Sequence, residues 1–220
     1  MILCIAQVLP ADLLADLTRY LADAKFVDGN RTAGWHARLV KANEQLSPSD
    51  ALHADLIRRI NAAIEEHPLF QIAARPKAVR PVMISRYTAG MRYGTHVDDA
   101  VMGGIRTDIS FTLFLADPSS YEGGELVMEG TGGEQSYKLD AGSMILYPSG
   151  ALHRVEPVTA GARLAAVGWA QSMVRDAGKR EILFDLDTAR RSLFQREGKT
   201  AEFDLISKST ANLMRLWAET

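Results

Sequence analysis

Between Val79 and Ala170 the chain breaks into short runs rich in Val, Ile, Phe and Tyr, separated by clusters of Gly, Asp, Ser and Pro. The runs Val82–Tyr87, Ile109–Leu115, Glu125–Glu129, Ser143–Tyr147 and Arg163–Ala170 have the composition and length of strands. Turn signals stand between them at Ala89-Gly90, Asp117-Pro118, Gly123-Gly124, Gly132-Gly133, Ala141-Gly142, Pro148-Ser149-Gly150 and Ala160-Gly161. No helical period intervenes between these short strands, which points to antiparallel pairing. An antiparallel barrel or sandwich follows, with a jelly roll the leading arrangement.

Helical patterning flanks this region. Ala11 to Lys25 carries Leu13, Leu14, Leu17 and Leu21 on one stripe, with Asp12, Asp16, Arg19 and Asp23 free to face water. A second helix is expected to start with Ser47 as N-cap, Pro48 at its first position and Asp50 in its first turn. Leu52, Leu56, Ile57, Ile60 and Ile64 form its apolar face, and Pro68 stops it. Gly29, Asn30 and Gly34 fall between these helices in a loop or short strands to which the sequence assigns no role. Beyond Gln171, Lys179 to Arg196 places Ile182, Leu183, Leu186, Ala189 and Leu193 on one face, and Leu205 to Trp217 reads as a last helix. The expected organisation is a helical and strand region over residues 1–78 packed on the core, a β core over 79–175, and C-terminal helices over 176–220.

Composition narrows the partners. The net charge is −2 with both signs mixed along the chain, so there is no basic field to attract nucleic acid or an anionic membrane. Cys4 is the only cysteine, which rules out an internal disulfide. The apolar run Ile2–Leu9 is short, lacks a basic flank and meets Pro10 and Asp12, unlike a signal peptide, and no stretch reaches the roughly 18 apolar residues of a membrane span. A cytoplasmic location is expected.

The chemistry concentrates in the β region. In Tyr93-Gly94-Thr95-His96-Val97-Asp98 an imidazole and a carboxylate stand two residues apart, and alternate residues of a strand share a face. His96 and Asp98 can therefore converge on one ion while Val97 points away. His153 is the other histidine of the β region and supplies a third ligand. Two histidines and one carboxylate form the facial set that leaves open positions on an octahedral iron(II). A 2-oxo acid can fill two of these and leave one for dioxygen. Arg163 follows His153 across the Thr159-Ala160-Gly161 turn and shares a face with Ala165, Val167 and Trp169. A guanidinium pointing into a closed barrel costs several kcal/mol unless it meets an anion. The far carboxylate of 2-oxoglutarate is such an anion, and Ala165 leaves room for its chain.

Each piece has a plainer explanation when taken alone. A His-x-Asp occurs often by chance, His153 could be satisfied by local hydrogen bonds, and Arg163 could be a surface residue after a turn. His36, His53 and His67 fit solvated or helix-terminal roles, Gly123-Gly124 a tight turn, and Met83, Met91, Met102, Met128 and Met144 packing. Two rival functions use the same residues: a non-catalytic metal- or ligand-binding cupin-like jelly roll, sugar binding included, and a zinc or manganese hydrolase or isomerase. Neither needs an inward cation beyond the last ligand, so Arg163 discriminates. A halogenase needs a small residue in place of Asp98.

Arg86-Tyr87-Thr88-Ala89-Gly90-Met91, Tyr93 to Asp98, Arg106-Thr107-Asp108-Ile109-Ser110, Tyr121-Glu122-Gly123-Gly124-Glu125-Leu126, Leu152 to Val158 and Gly161-Ala162-Arg163 together resemble the bacterial PKHD-type hydroxylases, in the prolyl 4-hydroxylase-like branch of the iron(II)/2-oxoglutarate oxygenases. The match runs from about Val79 through Gln171–Arg175. The resemblance implies a double-stranded β-helix, iron(II) with 2-oxoglutarate as cosubstrate, and ascorbate as a further cofactor. It implies metal ligation by His96, Asp98 and His153 and cosubstrate binding by Arg163 and Tyr87. Relatives place a tyrosine on the strand that here reads Phe111-Thr112-Leu113-Phe114, so one helper of Arg163 is missing there. The primary substrate stays unidentified, with a peptidyl target or a link to iron uptake implied. Tyr93, Arg92, Asp99 and the 100–104 segment adjoin the metal motif as substrate contacts, and the C-terminal helices could join a homo-oligomer.

Overall fold

The computed structural model describes residues 1–32, 34–50 and 52–219, with the side chains of Arg31 and Thr32 left aside. A short strand, β1 (Leu3–Ile5), precedes α1 (Ala11–Asp23), which buries Leu13, Leu17 and Leu21 as its leucine stripe requires. Three strands follow, β2 (Phe26–Asp28), β3 (Lys41–Ala42) and β4 (Glu44–Leu46). The next helix, α2 (His53–Glu66), begins later than the Ser47-Pro48 pair predicts. Glu44–Leu46 is held extended by pairing with β2, and the Ser47 hydroxyl accepts from the Ser49 N–H at 3.3 Å inside a turn, so it caps no helix. Leu56, Ile57, Ile60 and Ile64 are buried as expected, whereas Leu52 is exposed. Pro68 ends α2 but also opens α3 (Pro68–Ala74), where the missing N–H of proline is harmless. His67 caps α3 by accepting the Leu69 N–H on its imidazole at 3.3 Å.

The strand-rich region folds into β5 (Pro76–Val79), β6 (Met83–Thr88), β7 (Arg92–His96), β8 (Val101–Met102), β9 (Ile105–Arg106) and β10 (Ile109–Phe114). It continues through β11 (Tyr121–Gly123), β12 (Leu126–Gly130), β13 (Gly133–Tyr137), β14 (Met144–Pro148), β15 (His153–Val155) and the long β16 (Val158–Ser172). The larger sheet runs β1-β14-β10-β16-β6-β4-β2, with β5 and β11 also on β16; the smaller runs β13-β12-β15-β7-β3, and β8 pairs with β9. The two sheets face each other in a mostly antiparallel double-stranded β-helix.

Period-two alternation sorts the side chains of the larger sheet. On β10, Phe111 and Leu113 face outward and join Leu17, Leu21, Ile60, Ile64 and Phe70 of the N-terminal helices in the main core. Phe114 faces inward with Tyr87, Ile145 and Tyr147, meeting Leu126, Met128 and Val155 of the smaller sheet. One sheet thus separates an apolar core from a partly polar interior.

The chain ends in α4 (Ala177–Glu197) and α5 (Ala201–Trp217). The buried residues of α4 are Arg180, Leu183 and Asp187, while Ile182 is 48% exposed. The apolar face read from the sequence is therefore rotated, because an ion pair between buried Asp187 and partly buried Arg75 sets which side of α4 meets the body. Among the described residues no helix is long and apolar enough to cross a membrane.

Candidate metal and cosubstrate site

Two adjacent strands of the smaller sheet bring the histidines together. His153 on β15 pairs directly with His96 on β7, and their rings lie 4.3 Å apart. Asp98, just past the end of β7, turns inward, while Val97 between them is 38% exposed. The donor atoms of His96, Asp98 and His153 all lie within 4.8 Å of one another, with His153 Nε2 3.9 Å from Asp98 Oδ2.

Each group is held in place by its neighbours. Nδ1 of His96 faces the Gly94 carbonyl and Nδ1 of His153 the Ala151 carbonyl, both at 2.9 Å. These carbonyls accept the Nδ1 protons, so both Nε2 lone pairs are kept for an ion. Burial, and then the neighbouring His153, holds His96 well below its ordinary pKa and therefore neutral. The Ser110 hydroxyl donates to Asp98 Oδ2 at 2.5 Å, and a 2.8 Å hydroxyl–hydroxyl bond joins Ser110 to Ser149. The Tyr93 ring stacks on His96 at 3.6 Å and 17°. Two imidazoles and one carboxylate on one side of a point fit iron(II).

Arg163 reaches the same interior from the larger sheet. It is 1% exposed, has no ion-pair partner among the described residues, and its Nε and Nη2 have no hydrogen-bond partner. A buried guanidinium in that state requires an anion. Its neighbours are the rings of Tyr87 and Phe114, at 5.3 and 5.4 Å. Burial pushes the Tyr87 phenol up and Arg163 opposes it. His96, Asp98, His153, Tyr87 and Arg163 line one cavity. The remaining histidines stay apart from it, in or beside the helical segments.

Several contributors lay outside the sequence reading. Ser110 ends the Arg106–Ser110 motif, but its role depends on Asp98 folding back onto β10. Lys41, Asn43 and Gln45 are buried and line the cavity; their alternation was the available signal, with polar residues inward where an apolar face is the usual mark. Gly123-Gly124 is more than a turn. Both have positive φ, a Cβ on Gly123 would sit 2.1 Å from the Pro157 carbonyl, and one on Gly124 would sit 3.0 Å from Arg163 Cδ.

This fold and this donor set define an iron(II)/2-oxoglutarate-dependent dioxygenase. The sequence profile of the 2OG-Fe(II) oxygenase superfamily matches residues 82–171. A PKHD-type hydroxylase of Acaryochloris marina (strain MBIC 11017) is 59% identical over 219 residues, covering 100% of both chains. The chain belongs to the PKHD-type hydroxylases. In fold it is similar to a Pseudomonas putida prolyl-4-hydroxylase, with a TM-score of 0.52 and 22% identity over 78% of this chain and 92% of that one. It is also similar to a Trichoplax adhaerens prolyl hydroxylase solved with a hypoxia inducible factor oxygen degradation domain peptide fragment, with a TM-score of 0.59 and 15% identity over 83% and 86%.

Proposed function

We propose that His96, Asp98 and His153 hold the iron(II), that Arg163 beside Tyr87 binds the distal carboxylate of 2-oxoglutarate, and that the enzyme hydroxylates a peptidyl C–H bond. The observation that carries the assignment is the unpaired Arg163 guanidinium, buried in the same cavity as three converging ligand atoms. Iron(II) with 2-oxoglutarate and dioxygen supplies the oxidation, converting the 2-oxo acid to succinate and carbon dioxide as a C–H bond becomes C–OH. The chain's own residues supply geometry. The Gly94 and Ala151 carbonyls fix the imidazoles, Ser110 fixes the carboxylate, and Arg163 sets the cosubstrate's depth and direction. The apolar inner residues around Tyr147 and Leu126 keep water from the reacting end.

A peptidyl substrate is supported by the surface beside the cavity. Trp35, Leu39, Val40, Val97 and Val101 are exposed and adjoin cavity-lining Gly34, Ala37, Lys41 and Met102 in the chain. Such a rim suits a substrate larger than the cavity itself. The division into a packed N-terminal region, a β core over 79–175 and C-terminal helices belongs to the same reading. So does a homo-oligomer, supported by exposed Leu205 and Leu216 on α5, and a cytoplasmic location, supported by a lone cysteine.

Anaerobic titration with iron(II) and 2-oxoglutarate tests the centre. A weak visible charge-transfer band should appear and should vanish in Asp98→Ala; a band that survives this change would reject the ligand set. Substrate-dependent succinate release, screened over peptides, amino acids and iron chelates, tests the substrate class.

A further inference from the structure

We propose that Lys41 binds the primary substrate, and that this substrate carries a carboxylate near the C–H bond that is oxidised. The inference rests on the reading of the metal and cosubstrate site given above and names the charge of what enters beside them. Lys41 is 8% exposed and lines the same cavity as His96, Asp98 and His153. A lysine is seldom this buried, because its long stem normally carries the ammonium out to water. Strand pairing fixes where it lies. Lys41 on β3 is opposite Tyr93 on β7; its ammonium stands 5.3 Å from the centre of the Tyr93 ring, which stacks on the His96 imidazole at 3.6 Å. One ring therefore separates the ammonium from His96, on the smaller sheet, whereas Arg163 enters from the larger one.

Charge assigns the two cations to different ligands. Iron(II), the Asp98 carboxylate, the Arg163 guanidinium and the dianion of 2-oxoglutarate together carry no net charge. Lys41 adds a positive charge to that loaded interior, and a substrate carboxylate restores the balance. The carboxylates that favour the charged ammonium are Asp28, which is exposed, and Asp98, which faces the metal; burial outweighs both. Asp99 also lines the cavity, but it is exposed at the rim, where water and salt screen it. One ammonium with Asp98 and Asp99 nearby suits a singly charged carboxylate better than a phosphate, which calls for more donors. Asn43 and Gln45 follow Lys41 on the same inward face, so side-chain amides stand beside the ammonium. Leu39 and Val40, just before it in the chain, are exposed, so the group that accompanies the carboxylate meets an apolar edge.

The test is calorimetric binding to the full chain loaded with iron(II) and 2-oxoglutarate without oxygen, each probe being offered as a free acid and as its amide. The pairs are tripeptides with a free or an amidated C-terminus, amidated tripeptides carrying Glu or Gln, and single amino acids with their amides. In the pair that fits, the acid should bind about tenfold or more tightly than the amide, and Lys41→Met should abolish that difference by weakening the acid alone. Which pair responds tells whether the carboxylate is a chain end, a side chain or that of a free amino acid. Equal binding of acids and amides, or an acid preference that survives Lys41→Met, would overturn the proposal. The variant removes a buried charge and should fold, and the charge-transfer band should titrate with 2-oxoglutarate as in the unaltered protein; a midpoint moved about tenfold would mean that Lys41 serves the cosubstrate, and would also overturn it. The separate readings fail separately. If only amino acids show the acid preference and Lys41→Met abolishes it, Lys41 keeps its role and the peptidyl substrate is wrong; if peptides bind without regard to charge, only the Lys41 assignment fails.

Discussion

Ser110→Ala should weaken metal binding while leaving all three ligands in place. The lost contact is a 2.5 Å bond from a 1% exposed hydroxyl to Asp98 Oδ2, where water has little access to replace it. A hydrogen bond to a charged group contributes about 1.5–3 kcal/mol, which at 1.4 kcal/mol per decade is roughly 10- to 100-fold. The bond exists before metal arrives, so part of this energy cancels between the free and loaded states. What does not cancel is orientation, since Asp98 must be refixed each time the ion binds. The expected loss is therefore about tenfold, at the low end of the range found for residues that orient ligands. Ser149→Ala should cost less, because the Ser149 hydroxyl reaches Asp98 only through Ser110, and its backbone carbonyl still accepts the Asp98 N–H. Titration of the metal-free protein with manganese(II), followed by calorimetry, gives both affinities. Unchanged affinity in Ser110→Ala would show that Asp98 is oriented by something other than this hydroxyl.

Lys41→Met should stabilise the metal-free protein near neutral pH. Burial lowers the Lys41 pKa from 10.5 to about 8, against the raising influence of Asp28 and Asp98. Because the folded value lies below the unfolded one, the unfolded chain binds more protons between them, and Lys41 adds stability as pH rises from about 8 to 10.5. The variant's advantage, on the order of 3 kcal/mol at most, should thus be present below pH 8 and fade above it; denaturant midpoints across that window that run parallel for both proteins would contradict this. Asp187→Ala strands the partly buried Arg75 guanidinium and should destabilise the fold by about 3 kcal/mol, the low end for a broken buried pair, read as a lower denaturant midpoint. A midpoint unchanged by this substitution would mean that the pair does not anchor α4.

The β core and its site were legible because both obey the same two-residue period. That period places His96 with Asp98, and Arg163 with Val167 and Trp169, whatever the rest of the chain does. Elements whose form depends on distant partners were not legible. Ser47-Pro48 has the local chemistry of a helix start, but strand pairing through Leu46 overrides it. The face of α4 follows Arg75, a residue 112 positions away, rather than its own leucines. The segment 41–46 pairs with strands on both sides of the cavity, and its inward residues are Lys, Asn and Gln, which no apolar pattern flags.

That segment ties the two sheets together. β3 belongs to the smaller sheet and β4 to the larger, so the chain passes from one to the other at Asn43 and laces the seam between them. The stitch lies outside the stretch that carries the histidines, the aspartate and the arginine. Its three polar side chains, Lys41, Asn43 and Gln45, are buried and line the cavity, so one short segment both joins the two sheets and sets the polarity of the space between them.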